Sequence, residues 1–257
     1  MYAIDLSGKT GLIFGVANHR SIAWHIAETL RGSGAEVVLT YQSERLREGV
    51  AALVQDWDHV TLLECDVTDD AQIARVFEQA GEQFGPLRFV IHSIAYAHRE
   101  DLGGDFSSTS REGFKTALEI SSYSLIAVAR YAAPLLEDGG SILTLTFDAS
   151  ERVYPGYNIM GTAKAALENE VRQLAAELGE RNIRVNALSP GPLETLAARG
   201  IHGFHDMKRI HAERSPLRRN VTQTEVAKAA LFLCSDLASG ITGTVLPVDA
   251  GYHIMAV

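Results

Sequence analysis

Short apolar runs alternate with longer stretches of helical periodicity along the whole chain. The stretch after the first run has apolar residues at Ile22, Ala23, Ile26 and Leu30, the spacing of a helix packed on a sheet. Strands that are apolar without interruption are buried on both faces, as in a parallel sheet. The sequence therefore predicts an α/β fold with a doubly wound parallel sheet of about seven strands and helices on both faces. The predicted strands are 11–15, 36–41, 60–66, 89–94, 141–146, 183–189 and 244–249.

Composition favours one domain and excludes several classes of function. Apolar residues make up 46% of the 257 residues and no low-complexity linker interrupts them, so we expect 1–257 to form a single Rossmann-like domain. The net charge of −9 argues against nucleic-acid binding, which needs a basic surface. No apolar stretch resembles a signal peptide or a membrane span. Cys65 and Cys234 lack a paired spacing, which favours a reduced, cytoplasmic protein.

Ligands of such sheets bind where the strands end, at their carboxyl edge. The residues at six predicted strand ends are mostly small or polar, as a cofactor crevice requires. Turns are commonly small and polar in any protein, but six such ends in one layer favour a binding site. They are 15–17, 41–42, 66–67, 93–95, 146–147 and 190–192.

The first strand-to-helix turn is suited to a phosphate group. Gly15 allows close approach of the backbone, and Ser21 and Ile22 open a helix whose free N–H groups favour an anion. The turn lacks the full GxGxxG pattern, and a serine before a helix is also a common N-cap.

The ends of the second and third strands bear on the choice of nucleotide. Gln42 is neutral and reaches ribose hydroxyls, while Glu44 opposes a 2′-phosphate and Arg45 favours one, so NADH is expected over NADPH. Asp66 is a candidate partner for the adenine amino group, with Val67 against the ring. A helix N-cap or a turn is the alternative role for Asp66.

Tyr157 and Lys164 lie seven residues apart, which places them on one face if both are helical. A tyrosine hydroxyl stabilises negative charge on a substrate oxygen, and a nearby ammonium favours ionisation of the tyrosine. A lysine also holds ribose hydroxyls of a cofactor. The alternative is a surface pair on an amphipathic helix.

Motifs throughout the chain resemble those of the NADH-dependent enoyl-acyl-carrier-protein reductases of fatty acid synthesis, a divergent branch of the short-chain dehydrogenases/reductases. The specific feature is Tyr157-x6-Lys164, because ordinary members have Tyr-x3-Lys and an upstream serine, positions held here by Met160 and Phe147. The matching segments are GVANHRSIAWHIA, TYQSERL, HSIAYA, YNIMGTAKAALE, IRVNALSPGP and VDAGY.

This resemblance implies roles for individual residues. Tyr157 is expected to donate to the thioester carbonyl oxygen, and Lys164 to hold the nicotinamide ribose. Ala95, Tyr96 and Phe147 are expected to border the substrate. The residues expected to line NADH are Gly15, Ser21, Ile22, Gln42, Asp66, Val67, Ser93, Ile94, Leu193 and Thr195. The resemblance also implies an acyl carrier protein as partner and a homotetramer.

Two features of the sequence depart from the family pattern. Phe147 stands where the family usually has a second tyrosine, so its ring shapes the acyl pocket without a hydroxyl. The segment 189–195 has Pro190 and Glu194, where relatives more often have alanine and a basic residue. A carboxylate beside a pyrophosphate is unfavourable unless it points away, so weaker cofactor binding is expected.

The segment at about 194–219 is expected to cover the substrate. Its basic residues at 208, 209, 214, 218 and 219 either steer an acidic carrier protein or form a solvated helix face. His202, His205 and His211 lack a completing carboxylate or cysteine, so no metal site is expected. The apolar end of the chain is expected at a subunit interface.

Two other functions remain open at this point. One is a carbonyl reductase of the same fold, against which Met160 and Phe147 argue. The other is a dinucleotide-binding regulatory protein with impaired catalysis, for which Phe147 and Glu194 are the only support.

Overall fold

Seven parallel strands form one sheet in the computed structural model of the chain, which describes residues 4–201 and 203–256. Their order across the sheet is β3-β2-β1-β4-β5-β6-β7. The predicted fold class is confirmed, and each predicted strand is present with ends that differ by at most two residues. The strands are β1 (Thr10–Phe14), β2 (Glu36–Tyr41), β3 (Thr61–Glu64), β4 (Phe89–His92), β5 (Gly140–Leu145), β6 (Ile183–Pro190) and β7 (Val245–Val248).

Helices cover both faces of this sheet. The helices are α1 (Ile22–Gly32), α2 (Glu44–Leu53), α3 (Asp70–Phe84), α4 (Arg111–Leu118), α5 (Ser124–Ala132), α6 (Ile159–Leu178), α7 (Phe204–Arg214) and α8 (Gln223–Cys234). One core lies between the sheet and α1, α2 and α8, and the other lies between the sheet and α3, α5 and α6.

The strand β1 shows why the strands are apolar throughout. Ile13 packs into the first core, whereas Leu12 and Phe14 pack into the second, because successive side chains of a strand point to opposite faces. All three side chains are fully buried. With helices on both sides, neither face of the strand meets water, so the alternation of apolar and polar residues is absent.

Two helical features were not predicted from the sequence. A π-helical turn at Glu119–Tyr123 separates α4 from α5. The helix α8 was not predicted, although Thr222 and Glu225 have the spacing of a capping box. In the structure the Thr222 side chain accepts from the Glu225 N–H, and the Glu225 side chain accepts from the Thr222 N–H.

The sheet order fixes the position of the crevice. The chain runs outward from β1 to β3 and then returns to β4 on the other side of β1. The connections after β1 and β4 therefore leave in opposite directions, which opens a crevice at the carboxyl ends of these strands. Within the described residues no helix is both long and apolar enough to cross a lipid bilayer.

The contact between β1 and β4 depends on a missing side chain. Gly11 pairs with Phe89 across these strands, and a Cβ atom at Gly11 would lie 1.8 Å from the buried Phe89 ring. We predict that Gly11→Ala lowers the free energy of unfolding by about 3 kcal/mol, the upper part of the range usual for overpacking. Urea denaturation measures this loss. Gly32→Ala is the matched control, because a Cβ atom there has no neighbour within 4 Å; an equal loss in both variants would contradict the explanation.

Candidate active site

A cavity of about 600 Å³ lies at the carboxyl ends of the strands. It is lined by every residue that the sequence suggested for cofactor, substrate or catalysis. These residues are Gly15, Ser21, Ile22, Gln42, Asp66, Val67, Ser93, Ile94, Ala95, Tyr96, Phe147, Tyr157, Lys164, Leu193 and Thr195. The fold therefore brings together side chains that are spread over 180 positions of the sequence.

The turn after β1 brings the backbone close to the cavity. Gly15 has φ +95°, and a Cβ atom there would lie 2.0 Å from the Ser93 carbonyl oxygen, so no larger residue fits. Ser21 holds the N-cap position of α1, but its side chain does not cap the helix. Its hydroxyl instead accepts from the N–H groups of Ala17 and Asn18, both at 3.1 Å. The first turn of α1 is thus left without a side-chain cap, as an anion site requires.

The residues after β2 and β3 were expected to influence the choice of nucleotide, and they differ in whether they face the cavity. Glu44 is tied to Arg47 by an ion pair of 2.9 Å, whereas Gln42 and Arg45 line the cavity. Asp66 lines the cavity and also stabilises a turn, because its carboxylate accepts from the N–H and hydroxyl of Thr68 at 3.0 and 2.8 Å.

Tyr157 does not lie on the helix, which corrects the argument from helical spacing. The helix α6 begins at Ile159, and Asn158 before it has φ +38°. Tyr157 belongs to the preceding turn, and its ring packs against Phe147 with centroids 5.1 Å apart. Tyr157 and Lys164 still line the same cavity.

The electrostatics of Tyr157 also differ from the expectation. Burial raises the pKa of the Tyr157 hydroxyl well above its usual value of about 10. The ammonium of Lys164 does not offset this effect. Tyr157 is therefore a protonated hydroxyl, a hydrogen-bond donor rather than an ionised group.

Lys164 is held deep in the site. Its side chain is buried, and its Nζ donates to the Leu145 carbonyl oxygen at the end of β5, at 2.8 Å. Burial lowers the pKa of Lys164 to about 8, although the nearby Glu168 raises it. The ammonium is thus retained at neutral pH but is lost more easily than that of a surface lysine.

The part of the cavity around Phe147 is apolar. Phe147 is buried, and the Tyr154 ring packs on it at 4.7 Å while the Tyr154 hydroxyl donates to Asp148. The predicted cover segment completes this wall with aliphatic and aromatic side chains. Those that line the cavity are Leu196, Ala198, Ile201, Phe204 and Met207.

Glu194 points toward α7. Its carboxylate pairs with Lys208 at 2.5 Å, and this hydrogen bond lowers the pKa of Glu194. The Glu194 carboxylate, which the sequence suggested would lie near a pyrophosphate, therefore has a cationic partner on the cover segment. Lys208 in turn contributes less free positive charge than the sequence suggested.

The two histidines of the cover segment that the structure describes differ in exposure. His205 is exposed and His211 is buried, while His202 lies outside the described residues. His211 stacks on Tyr252 with centroids 3.6 Å apart. Among residues 4–201 and 203–256 no group of three potential metal ligands was found.

Comparison with known proteins identifies the family. A family model described as enoyl-(acyl carrier protein) reductase matches residues 15–253. The chain belongs to this family. The enoyl-[acyl-carrier-protein] reductase [NADH] FabI of Nostoc sp. (strain PCC 7120) is 49% identical over 255 residues, covering 98% of this chain and 99% of the relative.

Solved structures of two other reductases match along the whole fold. That of Bacillus cereus, with NADP+ and indole naphthyridinone, is 48% identical, has a TM-score of 0.96 and matches over 98% of this reductase and 99% of that chain. The enzyme from Anaplasma phagocytophilum, in complex with NAD, is 44% identical, has a TM-score of 0.95 and matches over 98% and 96% of the two chains.

Sequence reasoning missed several polar residues behind the site of this reductase. Glu168 lies one turn after Lys164 on α6 and receives a hydrogen bond from Thr146. Ser121, in the π-helical turn, bonds to both the N–H and the carbonyl oxygen of Tyr96. The i, i+4 spacing of Lys164 and Glu168 was a usable signal, whereas the contact of Ser121 joins segments 25 residues apart.

His211 makes the stability of the reductase dependent on pH. Both ring nitrogens are buried without hydrogen-bond partners among the described residues. Burial lowers the pKa of His211 to about 4, while Asp249 and Asp148 oppose this shift. Between about pH 6.5 and about pH 4 the unfolded chain therefore binds more protons than the folded one, and stability falls as the pH falls.

We predict that His211→Phe weakens this pH dependence by up to about 1.4 kcal/mol per pH unit. Urea denaturation at several pH values between these limits measures the slope. His205→Phe, at an exposed position of the same helix, controls for the added ring. A slope in His211→Phe equal to that of the wild type would show that this histidine is not buried in its neutral form.

Proposed function

We propose that the chain reduces the carbon-carbon double bond of trans-2-enoyl thioesters, linked to acyl carrier protein, with NADH. The observation that carries the proposal is the meeting of a protonated Tyr157 hydroxyl and the buried Lys164 in one cavity. This cavity also has a phosphate-suited turn at one end and an apolar wall around Phe147 at the other. The reaction is the last reductive step of fatty acid elongation.

The residues present fit a dinucleotide. Gly15, with no room for a Cβ atom, and the uncapped start of α1 suit the pyrophosphate, and Gln42 suits the adenosine ribose. NADH, when bound, supplies a hydride to the β-carbon of the substrate. The further residues proposed to hold it are Ser21, Ile22, Asp66, Val67, Ser93, Ile94, Lys164, Leu193 and Thr195.

Tyr157 is the proposed donor to the thioester carbonyl oxygen. Negative charge grows on this oxygen as the enolate forms, and a fixed hydroxyl stabilises it. The raised pKa of Tyr157 keeps its proton in place, so the hydroxyl donates at any pH near neutrality. A proton from solvent then adds to the α-carbon, which completes the saturated product.

Lys164 is proposed to orient the nicotinamide ribose and to add positive charge near the developing enolate. Its amino group lies beside the end of β5, fixed by the Leu145 carbonyl oxygen. A buried ammonium acts more strongly on nearby charge than one in water. The role therefore depends on the ammonium form being retained.

The acyl chain is proposed to lie between Ala95, Tyr96 and Phe147 and the segment at about 194–219. The side chains of this segment that reach the cavity are apolar, which suits a hydrocarbon chain. The alternative carbonyl reductase is less well supported, because Met160 and Phe147 place no hydroxyl where that chemistry has its tyrosine and serine.

Docking of an acidic carrier protein has some electrostatic support. Lys208, Arg209 and Arg219 are engaged in ion pairs. Arg214 and Arg218 have no ion-pair partner among the described residues, and the Arg218 guanidinium donates only to the Glu213 carbonyl oxygen, which leaves its charge uncompensated. The cover segment is thus less basic than its sequence suggests, and Arg214 and Arg218 are the cations proposed to attract the carrier protein.

A homotetramer in the cytoplasm is also proposed. Phe114, Tyr123 and Ile254 expose 43%, 42% and 68% of their surfaces, and contact between subunits would remove these apolar side chains from water. The cytoplasmic location is supported by two free, buried cysteines, whose pKa values burial raises to about 12. Neither thiol is placed to form a disulfide in an oxidising compartment.

We predict that Tyr157→Phe lowers kcat for enoyl thioester reduction at least about 100-fold, because one donor to the oxyanion is lost. Loss of absorbance at 340 nm with NADH and a trans-2-enoyl thioester measures the rate. NADH affinity of the variant is expected to stay within about threefold of the wild type, since the removed hydroxyl serves the substrate. Full activity of Tyr157→Phe would remove this residue from the mechanism.

We predict that Phe147→Tyr leaves kcat within about twofold, because Tyr157 already supplies the donor. The added hydroxyl enters a buried apolar cluster with Ala149 and Met207, so stability should fall by about 1–3 kcal/mol. Thermal or urea unfolding beside the 340 nm assay separates the two effects. A large rise in kcat would instead mean that the missing hydroxyl limits this enzyme.

A further inference from the structure

The helix α6 presents two charged side chains, one turn apart, to the end of β5. Lys164 Nζ donates to the Leu145 carbonyl oxygen at 2.8 Å. Glu168 Oε1 accepts from the hydroxyl of Thr146, the next residue, at 2.6 Å. Two consecutive residues of the strand end are thus bonded by two residues of the helix, which fixes α6 against the strand end that carries Phe147.

Both charged side chains are almost completely buried. Lys164 exposes 4% of its surface and Glu168 exposes 6%. A buried ammonium is unfavourable unless an opposite charge and hydrogen bonds compensate it. The effect of Glu168 is to raise the pKa of Lys164 against the lowering by burial.

The other titratable groups that face Lys164 do not supply this charge. Burial, together with the charge of Lys164, lowers the pKa of His92 to about 3, so its ring is neutral. The His92 ring is occupied by the hydroxyls of Thr144 and Ser124, at 2.9 and 2.8 Å. Burial likewise keeps Tyr157 protonated.

We propose that Glu168, anchored by Thr146, is a positioning residue that keeps Lys164 charged and in place for the cofactor ribose. The inference rests on the role proposed above for Lys164. Glu168 does not line the cavity, so it acts on the cofactor only through the lysine.

The consequence is a pH dependence of NADH binding. Lys164 binds the ribose as an ammonium, so affinity falls as the pH rises through the pKa of this lysine, about 8. Replacing Glu168 by the neutral, equally large Gln removes the charge that opposes burial. The fall in affinity then begins at a lower pH.

NADH affinity of the full chain, measured by the fluorescence of the bound nucleotide from about pH 6 to about pH 10, tests this. In Glu168→Gln the pH at which affinity begins to fall is expected about one unit lower than in the wild type. Glu170→Gln is the matched control, because Glu170 lies on the same helix but accepts from Ser122 and does not line the cavity. Its profile is expected to coincide with that of the wild type.

Thr146→Val gives a second, milder test should Glu168→Gln fold poorly. It removes the anchor and keeps the carboxyl group, so a shift in the same direction but smaller is expected. Profiles of either folded variant that superimpose on the wild type would overturn the proposal. Because binding is read without substrate, a failure of the proposed reduction would appear separately, as a wild type that binds NADH and does not oxidise it with an enoyl thioester.

Discussion

Because helices cover both faces of the sheet, its strands are mostly apolar, and the polar groups that they do contain are buried away from solvent. The polar groups of the site are displaced to the carboxyl ends, where the chain leaves each strand. The order of the strands then opens a crevice between β1 and β4. The Gly15 turn, the Lys164 contact with β5 and the wall around Phe147 all depend on this arrangement.

The electrostatics of the site follow from the same burial. A low-polarity environment favours neutral forms, so Tyr157 keeps its proton and His92 stays uncharged. Burial shifts Lys164 in the same direction, but its pKa of about 8, which Glu168 raises against the effect of burial, still leaves it an ammonium at neutral pH. The result is a neutral donor beside a retained positive charge, which suits an oxygen that becomes negative during the reaction.

The fold was largely predictable from the sequence, because a strand that is buried on both faces has a run of apolar residues. The position of Gly15 at a strand end followed from the rule that ligands bind at the carboxyl ends of such strands, whereas most residues of the cavity were expected from the family resemblance. The helical position of Tyr157 was wrong, because Asn158 has a positive φ that the spacing of Tyr157 and Lys164 does not reveal. The helix α8 was missed although its capping box is visible in the sequence.

Protonation states were beyond the reach of sequence. The pKa of Tyr157 depends on how completely the turn folds over it, and no pattern of residues encodes this. The same holds for the partner of Glu194, since Lys208 comes near only when α7 packs over the site. Contacts between segments that are distant in the chain are decided by packing, and local spacing cannot supply them.

The fate of the transferred hydrogen is the most direct test of the proposed reduction of the enoyl double bond. A trans-2-enoyl thioester and, in a parallel incubation, a ketone would be treated with NADH deuterated at nicotinamide C4, on the face from which hydride is donated, and the products analysed by mass spectrometry and NMR. If the hydride is transferred to the β-carbon, the product is a saturated thioester with deuterium on that carbon. Deuterium found instead on a carbinol carbon of a ketone substrate, with the enoyl thioester unchanged, would contradict the proposed reduction and establish a carbonyl reductase.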